Sequence, residues 1–254
     1  MTEAATLTLP TRRDEAWRYA DMDALARLGM AALDQWKEIT LAPGETRRHA
    51  MVVGSASPEL HRIRIRLGEG ARAELFVTNA GSDYTRVEVE VHLARAAHFE
   101  FGGVTIGGGT ATREFVTQVI HAEPEATSNQ TIRAVHWNTG TGNFLGEIKV
   151  ARHAQKTDAA QDFKGLLLEA GASANAVPQL EIFADDVKCA HGATVGALDE
   201  AARFYMMARG VDPATAQRLM VQAFIGDAFV ALDDEAQRET LLDAALAALE
   251  GAKL

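Results

Sequence analysis

Cys189 and His191 are the residues of this 254-residue chain whose types and spacing best suit chemistry. They lie two apart in LEIFADDVKCAHGATVG (Leu180–Gly196), where the pattern predicts a strand over Val187–Val195. Side chains at i and i+2 of a strand share a face, about 7 Å apart. A thiol and an imidazole so placed offer one soft and one borderline ligand to iron, an iron–sulfur cluster or zinc. Cys189 is the sole cysteine, so an intramolecular disulfide and a four-cysteine site within one chain are excluded. Two donors make an incomplete site, and the remaining ligands would come from a second chain, at an interface. The competing reading is a small buried Cys189 and a turn residue His191 ahead of Gly192. Spacing alone leaves both open.

Asp185 and Asp186 invite a carboxylate-pair reading. Neighbouring strand residues face opposite ways, so the two share one substrate bond only if a bulge intervenes. A solvated corner fits them better.

The elements that must position these residues change character along the chain. RIRIRL (Arg62–Leu67) and VEVEVHL (Val87–Leu93) alternate strictly, the mark of half-buried strands. Further strands are predicted at 73–77, 99–106, 115–121, 131–137, 144–150, 162–168 and 174–182. No room remains between them for helices, which excludes parallel sheets built on helical crossovers. A sandwich, a barrel or a solenoid remains. The region has no Asn-Gly or Asp-Gly pair, the strongest hairpin signal. Its turns read as GEGA (Gly68–Ala71), NAGSD (Asn79–Asp83), GGG (Gly107–Gly109) and NTGTGN (Asn138–Asn143), which suit solenoid corners. Against a solenoid, no crisp internal repeat is visible.

Both flanks read as helical. Thr11 followed by Asp14 fits an N-terminal capping pattern ahead of DEAWRYADMDALARL, with Trp17 and Tyr19 as anchors to the body. Beyond the strands, Asp199 caps a helix ending at Gly210, and Asp212-Pro213 opens a second. That second helix carries Leu219, Met220, Ala223, Phe224 and Ala228 near one face. Asp233 opens a third, with Leu241, Leu242, Ala245, Leu246 and Leu249 as its stripe and Gly251 as its stop. Residues 181–254 hold 13 Asp+Glu against 6 Lys+Arg. Such a segment either closes the end of the strand region or docks a basic partner.

Composition narrows the function classes. With 47% hydrophobic and 24% charged residues the chain is ordinary for a folded protein. Its net charge of −10 argues against a nucleic-acid groove or an anionic membrane surface. No run of about 18 apolar residues is present, and the first residues lack a secretory signal, so the expected location is cytoplasmic. GxxxxGK[ST], HExxH and GxSxG are all missing. GTGNFLG (Gly140–Gly146) has its third glycine one place late for a dinucleotide fingerprint.

Two long motifs carry a resemblance. Leu180–Gly196, followed by LDEAARFYMMARG (Leu198–Gly210) and AQRLMVQAFIGDAF (Ala216–Phe229), resembles the C-terminal signature of the SufB/SufD family of iron–sulfur cluster assembly proteins. PTRRDEAWRYADMDAL (Pro10–Leu25) is similar to that family's PT(R/K)xDExWRYTDL start. The motifs stand in the family's order, so the resemblance covers nearly the whole chain. A SufB-type scaffold is expected to carry more cysteines than Cys189. The chain is also short for the family, with little helical region before its strands.

The resemblance implies a mainly β protein: an N-terminal helical segment (1–40), a right-handed parallel β-helix core (41–196) and a C-terminal helical domain (197–254). It implies a non-catalytic scaffold that meets SufB through the β-helix and the ATPase SufC through the C-terminal helices. Cys189 and His191 match the family's Cys-x-His positions. The histidine is implied to hold a nascent iron–sulfur cluster at the SufB–SufD interface, and the cysteine is the weaker transfer. The cluster would be transient and shared with the partner, with none in the isolated chain, which is also expected to be able to form a homodimer. Two other readings are a purely structural partner of SufB and a β-helix carbohydrate-active enzyme using Asp185 and Asp186. An aromatic content of 6% and the missing secretory signal weigh against the enzyme.

Overall fold

Alternation in the sequence becomes alternation in burial. Ile63, Ile65 and Leu67 are buried and Arg66 is exposed, and Val87, Val89, Val91 and Leu93 are all buried. The structure, a computed structural model, describes residues 9–54, 58–81 and 83–249. Its strands are β1 (Lys37–Leu41), β2 (Thr46–Val53), β3 (Glu59–Leu67), β4 (Arg72–Asn79), β5 (Tyr84–Leu93) and β6 (His98–Gly107). They continue with β7 (Thr112–His121), β8 (Thr127–His136), β9 (Thr141–Val150), β10 (Asp158–Leu167), β11 (Ser173–Ile182) and β12 (Lys188–Gly196).

The odd strands form one six-stranded sheet and the even strands another, each in chain order. Every pairing is parallel. The chain therefore alternates between sheets, and two strands make one turn of a parallel β-solenoid. Corners do the work that helical crossovers do in other parallel sheets. Between the sheets lies a core that includes Phe99, Phe101, Phe115, Phe144 and Phe163, with Phe99 stacked on Phe101 and Phe144 on Phe163.

The register explains why no repeat is legible. The step between paired strands is 26 residues from Lys37 to Ile63, 28 from Tyr84 to Thr112, 29 from Thr112 to Thr141 and 32 from Thr141 to Ser173. A turn of drifting length leaves no fixed period. One corner is nevertheless conserved in shape. Gly44, Gly70, Ala96, Glu125 and Lys156 all hold positive φ in the connections from odd to even strands. Left-handed backbone is free for glycine and costs other residues about 1–2 kcal/mol, so residue type hides the common geometry.

Helices lie on the outside. The first segment is helical at α1 (Met22–Leu28) and α2 (Met30–Leu33), after a single 3₁₀ turn over Glu15–Trp17. The expected helical stretch to residue 40 thus ends early, because Lys37–Leu41 pairs with β3. Thr11 and Asp14 close a local turn, and the cap of α1 is Asp21, whose carboxylate accepts the Ala24 N–H at 3.0 Å. Trp17 anchors this segment by lying over the Arg86 guanidinium, 3.8 Å from it.

At the other end are α3 (Glu200–Ala208), α4 (Pro213–Gly226) and α5 (Glu235–Leu249). Asp199 and Asp212 cap α3 and α4 as their positions predict. Asp234, not Asp233, caps α5, and Gly251 lies outside the described residues. The buried side of α4 is Ala216, Val221 and Ile225, while Leu219 and Ala223 face outward. Of the expected stripe, Phe224 and Ala228 pack against the sheet, while Leu219 and Ala223 do not, because the sheet selects the buried face. Val221, Ile225, Phe229, Leu241 and Leu249 pack with Phe76, Val104, Ile106 and Val135 on the outer face of the even sheet. A Cβ on Gly102 would lie 2.1 Å from the Ala228 carbonyl oxygen, so this glycine permits the close approach. The helices cover that flank and leave both strands of the last turn as open sheet edges.

Candidate functional site

The last turn of the solenoid consists of β11 and β12. Among the described residues, β11 pairs only with β9 and β12 only with β10. A final strand presents unpaired N–H and C=O groups, a template for another chain. Cys189 and His191 sit on this strand. Cys189 pairs in register with Ala159, and His191 with Gln161.

Cys189 faces inward and is half-buried, packed beside Ile148, Val150, Ala154, Ala159 and Ala184. Burial pushes its thiol pKa up, and the Asp158 carboxylate adds to the effect. The thiol therefore stays protonated at neutral pH until a metal or a cation displaces the proton. His191 shares the inward parity of Cys189, yet it is exposed, and among the described residues no further strand pairs beyond β12. The two side chains thus stand together at the open mouth of the solenoid. Among the described residues, no group of three or more His, Cys, Asp and Glu side chains is placed to hold a metal ion. The pair offers two donor types, a thiol and an imidazole, which by themselves are too few to hold a metal ion.

Asp185 and Asp186 are exposed in the β11–β12 connection. The Asp186 backbone is held by Gln155, whose side chain accepts its N–H at 2.9 Å. They form a solvated corner. A groove of about 230 Å³ lies elsewhere, on the outer face of the odd sheet, lined by Glu15, Trp36, Glu88, Glu90, Val116 and Gln179 among others. It contains neither Cys189 nor His191, and its acids are already engaged: Glu88 with Arg62 and Glu90 with Arg64. The chemistry-bearing pair and this groove are therefore separate features.

Two features escaped the sequence. Gln130 and Gln161 point into the solenoid and are buried, although their residue type suggests surface. Only the strand register shows that Gln130, Gln161 and His191 form one column. The second is the face of α3. None of its residues is buried, and Phe204 (72% exposed), Tyr205 and Met207 project outward, with Leu219 of α4 also exposed. Large apolar residues clustered at a surface mark an interaction site.

Together the strands define a parallel β-solenoid whose last turn, carrying Cys189 and His191, is an open sheet edge among the described residues. The family model described as "SUF system FeS cluster assembly, SufBD core domain" matches residues 25–224, and the chain belongs to this family. It is 39% identical over 126 residues to the iron–sulfur cluster assembly protein SufD of Escherichia coli (strain K12), covering 50% of this chain and 30% of that protein. It is 31% identical over 139 residues to SufD of Bacillus subtilis (strain 168), covering 55% and 32%. A SufBD family protein of Synechocystis is 30% identical over 161 residues, covering 63% and 36%. The matched stretches thus span about a third of the length of these relatives.

Proposed function

We propose that the chain is a non-catalytic scaffold subunit for iron–sulfur cluster assembly that works with SufB and the ATPase SufC in the cytoplasm. The observation that carries this reading is the open last turn, where Cys189 and His191 stand on an edge strand paired on one side only, as an incomplete ligand set. Edge pairing with the β-solenoid of SufB would bring further donors to the pair, and the cluster would be cargo shared across that edge. In the absence of SufB the same edge can receive a second copy of this chain. The outward apolar face of α3 would receive SufC. ATP turnover belongs to that partner, in keeping with the missing phosphate-binding loop here. Among the described residues no helix is long and apolar enough to cross a membrane.

The test is iron and acid-labile sulfide bound after anaerobic co-expression with SufB and SufC, comparing wild type with His191→Ala and checking complex formation in both. An intact complex with collapsed loading makes His191 a ligand or gate. An intact complex with unchanged loading makes the chain a structural brace for SufB.

A further inference from the structure

We propose that Gln161 is a positioning residue for His191: its amide oxygen accepts the imidazole Nδ1–H and turns a bare Nε2 toward the open end of the solenoid. The consequence for the cluster rests on the reading of His191 as a ligand. The hydrogen bond does not.

Four observations place the amide beneath the ring. Gln161 is 2% exposed, and neither its Oε1 nor its Nε2 has a partner among the described residues. It pairs in register with His191 on the neighbouring strand, about 4.8 Å away. Cys189, two residues before His191, packs inward against Ala159, two residues before Gln161, so His191 and Gln161 share the inward side. Gly146 on the facing sheet leaves the space the amide fills, since a Cβ there would lie 2.8 Å from Gln161 Oε1.

A buried amide without partners is destabilising, so the chain has reason to supply them. Gln130 lies one turn deeper in the same column, with its own amide buried and unpartnered. The Gln161 amide N–H can therefore donate down to the Gln130 carbonyl. Its oxygen, which lies toward Gly146 of the facing sheet, is then free to accept from the last turn, where the group in register is the imidazole. A hydrogen bond on one ring nitrogen decides which nitrogen is free to bind a metal. Gln161 thus makes a flexible surface histidine into an oriented donor.

The experiment reads the tautomer directly, on the full chain labelled with ¹⁵N-histidine. Long-range ¹H–¹⁵N spectra are recorded at about pH 8.5, roughly two units above the ordinary imidazole pKa. The His191 signals are assigned by their loss in His191→Ala. The expected wild-type spectrum shows the Nδ1–H form in the majority. Gln161→Leu should return the ring to the Nε2–H-rich mixture of a free imidazole, and Gln161→Glu, which keeps an acceptor, should restore Nδ1–H. A wild-type ring already in the free mixture overturns the proposal without any variant, as does a tautomer unchanged by Gln161→Leu.

Iron and sulfide loading with SufB and SufC is the second arm, and a several-fold fall in Gln161→Leu with recovery in Gln161→Glu is expected. A changed tautomer with unchanged loading upholds the hydrogen bond and overturns its consequence for the cluster, while the ligand reading of His191 stands or falls with His191→Ala. An unchanged tautomer overturns the hydrogen bond whatever the loading.

Discussion

Arg133 ties the C-terminal helices to the solenoid through Asp227. The arginine is 2% exposed on β8, and its Nε–H donates to Asp227 Oδ2 at 2.9 Å, just past the end of α4. The same guanidinium donates to Asp162 on β10 at 2.5 Å and to the Ile132 carbonyl. One side chain thus joins two turns of the sheet and the helical layer.

Removing that guanidinium should loosen the layer. Arg133→Met keeps the aliphatic bulk and deletes charged hydrogen bonds, each contributing about 1.5–3 kcal/mol. Both carboxylates remain half-exposed and can be hydrated, so the total should stay near about 2–3 kcal/mol. Asp227→Asn should cost less, since Asp162 and the Ile132 carbonyl still hold the arginine. Urea denaturation of the three proteins checks the order.

Gly102→Ala should be more damaging than its size suggests. The added methyl would press on the Ala228 carbonyl at 2.1 Å and on the Phe76 ring at 2.6 Å. Neither is the free end of a flexible chain, so the turn over Asp227–Phe229 must lift from the sheet. Overpacking of this kind costs about 1–3 kcal/mol. Limited proteolysis should cut the segment 210–235 faster in the variant than in wild type.

Stability should fall on mild acidification. Burial lowers the pKa of His121 to about 4 and that of His136 to about 3, with the Arg113 charge adding to the shift at His136. Below the ordinary value of about 6.5, the unfolded chain binds protons that the folded rings refuse. Their contribution is therefore complete above about pH 6.5 and declines as pH falls toward the folded values, by at most about 1.4 kcal/mol per pH unit for each ring. Unfolding free energies at pH 7 and pH 5 should differ accordingly. His136→Asn should flatten the pH dependence, even though it also loses the Nδ1–H bond to the Gly107 carbonyl.

Polar substitution of the α3 face should leave the fold alone. Phe204 and Tyr205 are 72% and 59% exposed, so Phe204→Ser with Tyr205→Ser should change stability by no more than about 0.5 kcal/mol per site. Binding to SufC, measured by titration calorimetry, should drop at least tenfold. Unchanged binding would move the proposed docking surface elsewhere.

Much of the strand layout was legible from residue type. RIRIRL and VEVEVHL announce their buried faces because every second side chain points the same way, and Asp199 and Asp212 announce helix starts because a short carboxylate satisfies free N–H groups. β1 and β2 were not legible. KEITL is too short for alternation to stand out, and TRRHAMVV does not alternate; both are strands because β3 and β4 pair with them. Cys-x-His likewise shows two donors on one face, but it does not show that they sit on the last turn.

Sequence alone determined a β-rich core between helical flanks, a single thiol, and a thiol–imidazole pair too small to hold a metal by itself. Tertiary structure decided the rest: which face of α4 is buried, that the helices cover a flank and leave the end open, and that Gln161 lies beneath His191. These last facts depend on register between strands 26 to 32 residues apart, set by corners that share a backbone shape without sharing residues. Local periodicity reports which side of a strand is buried. It carries no information about which residue of the next turn comes to rest beside it.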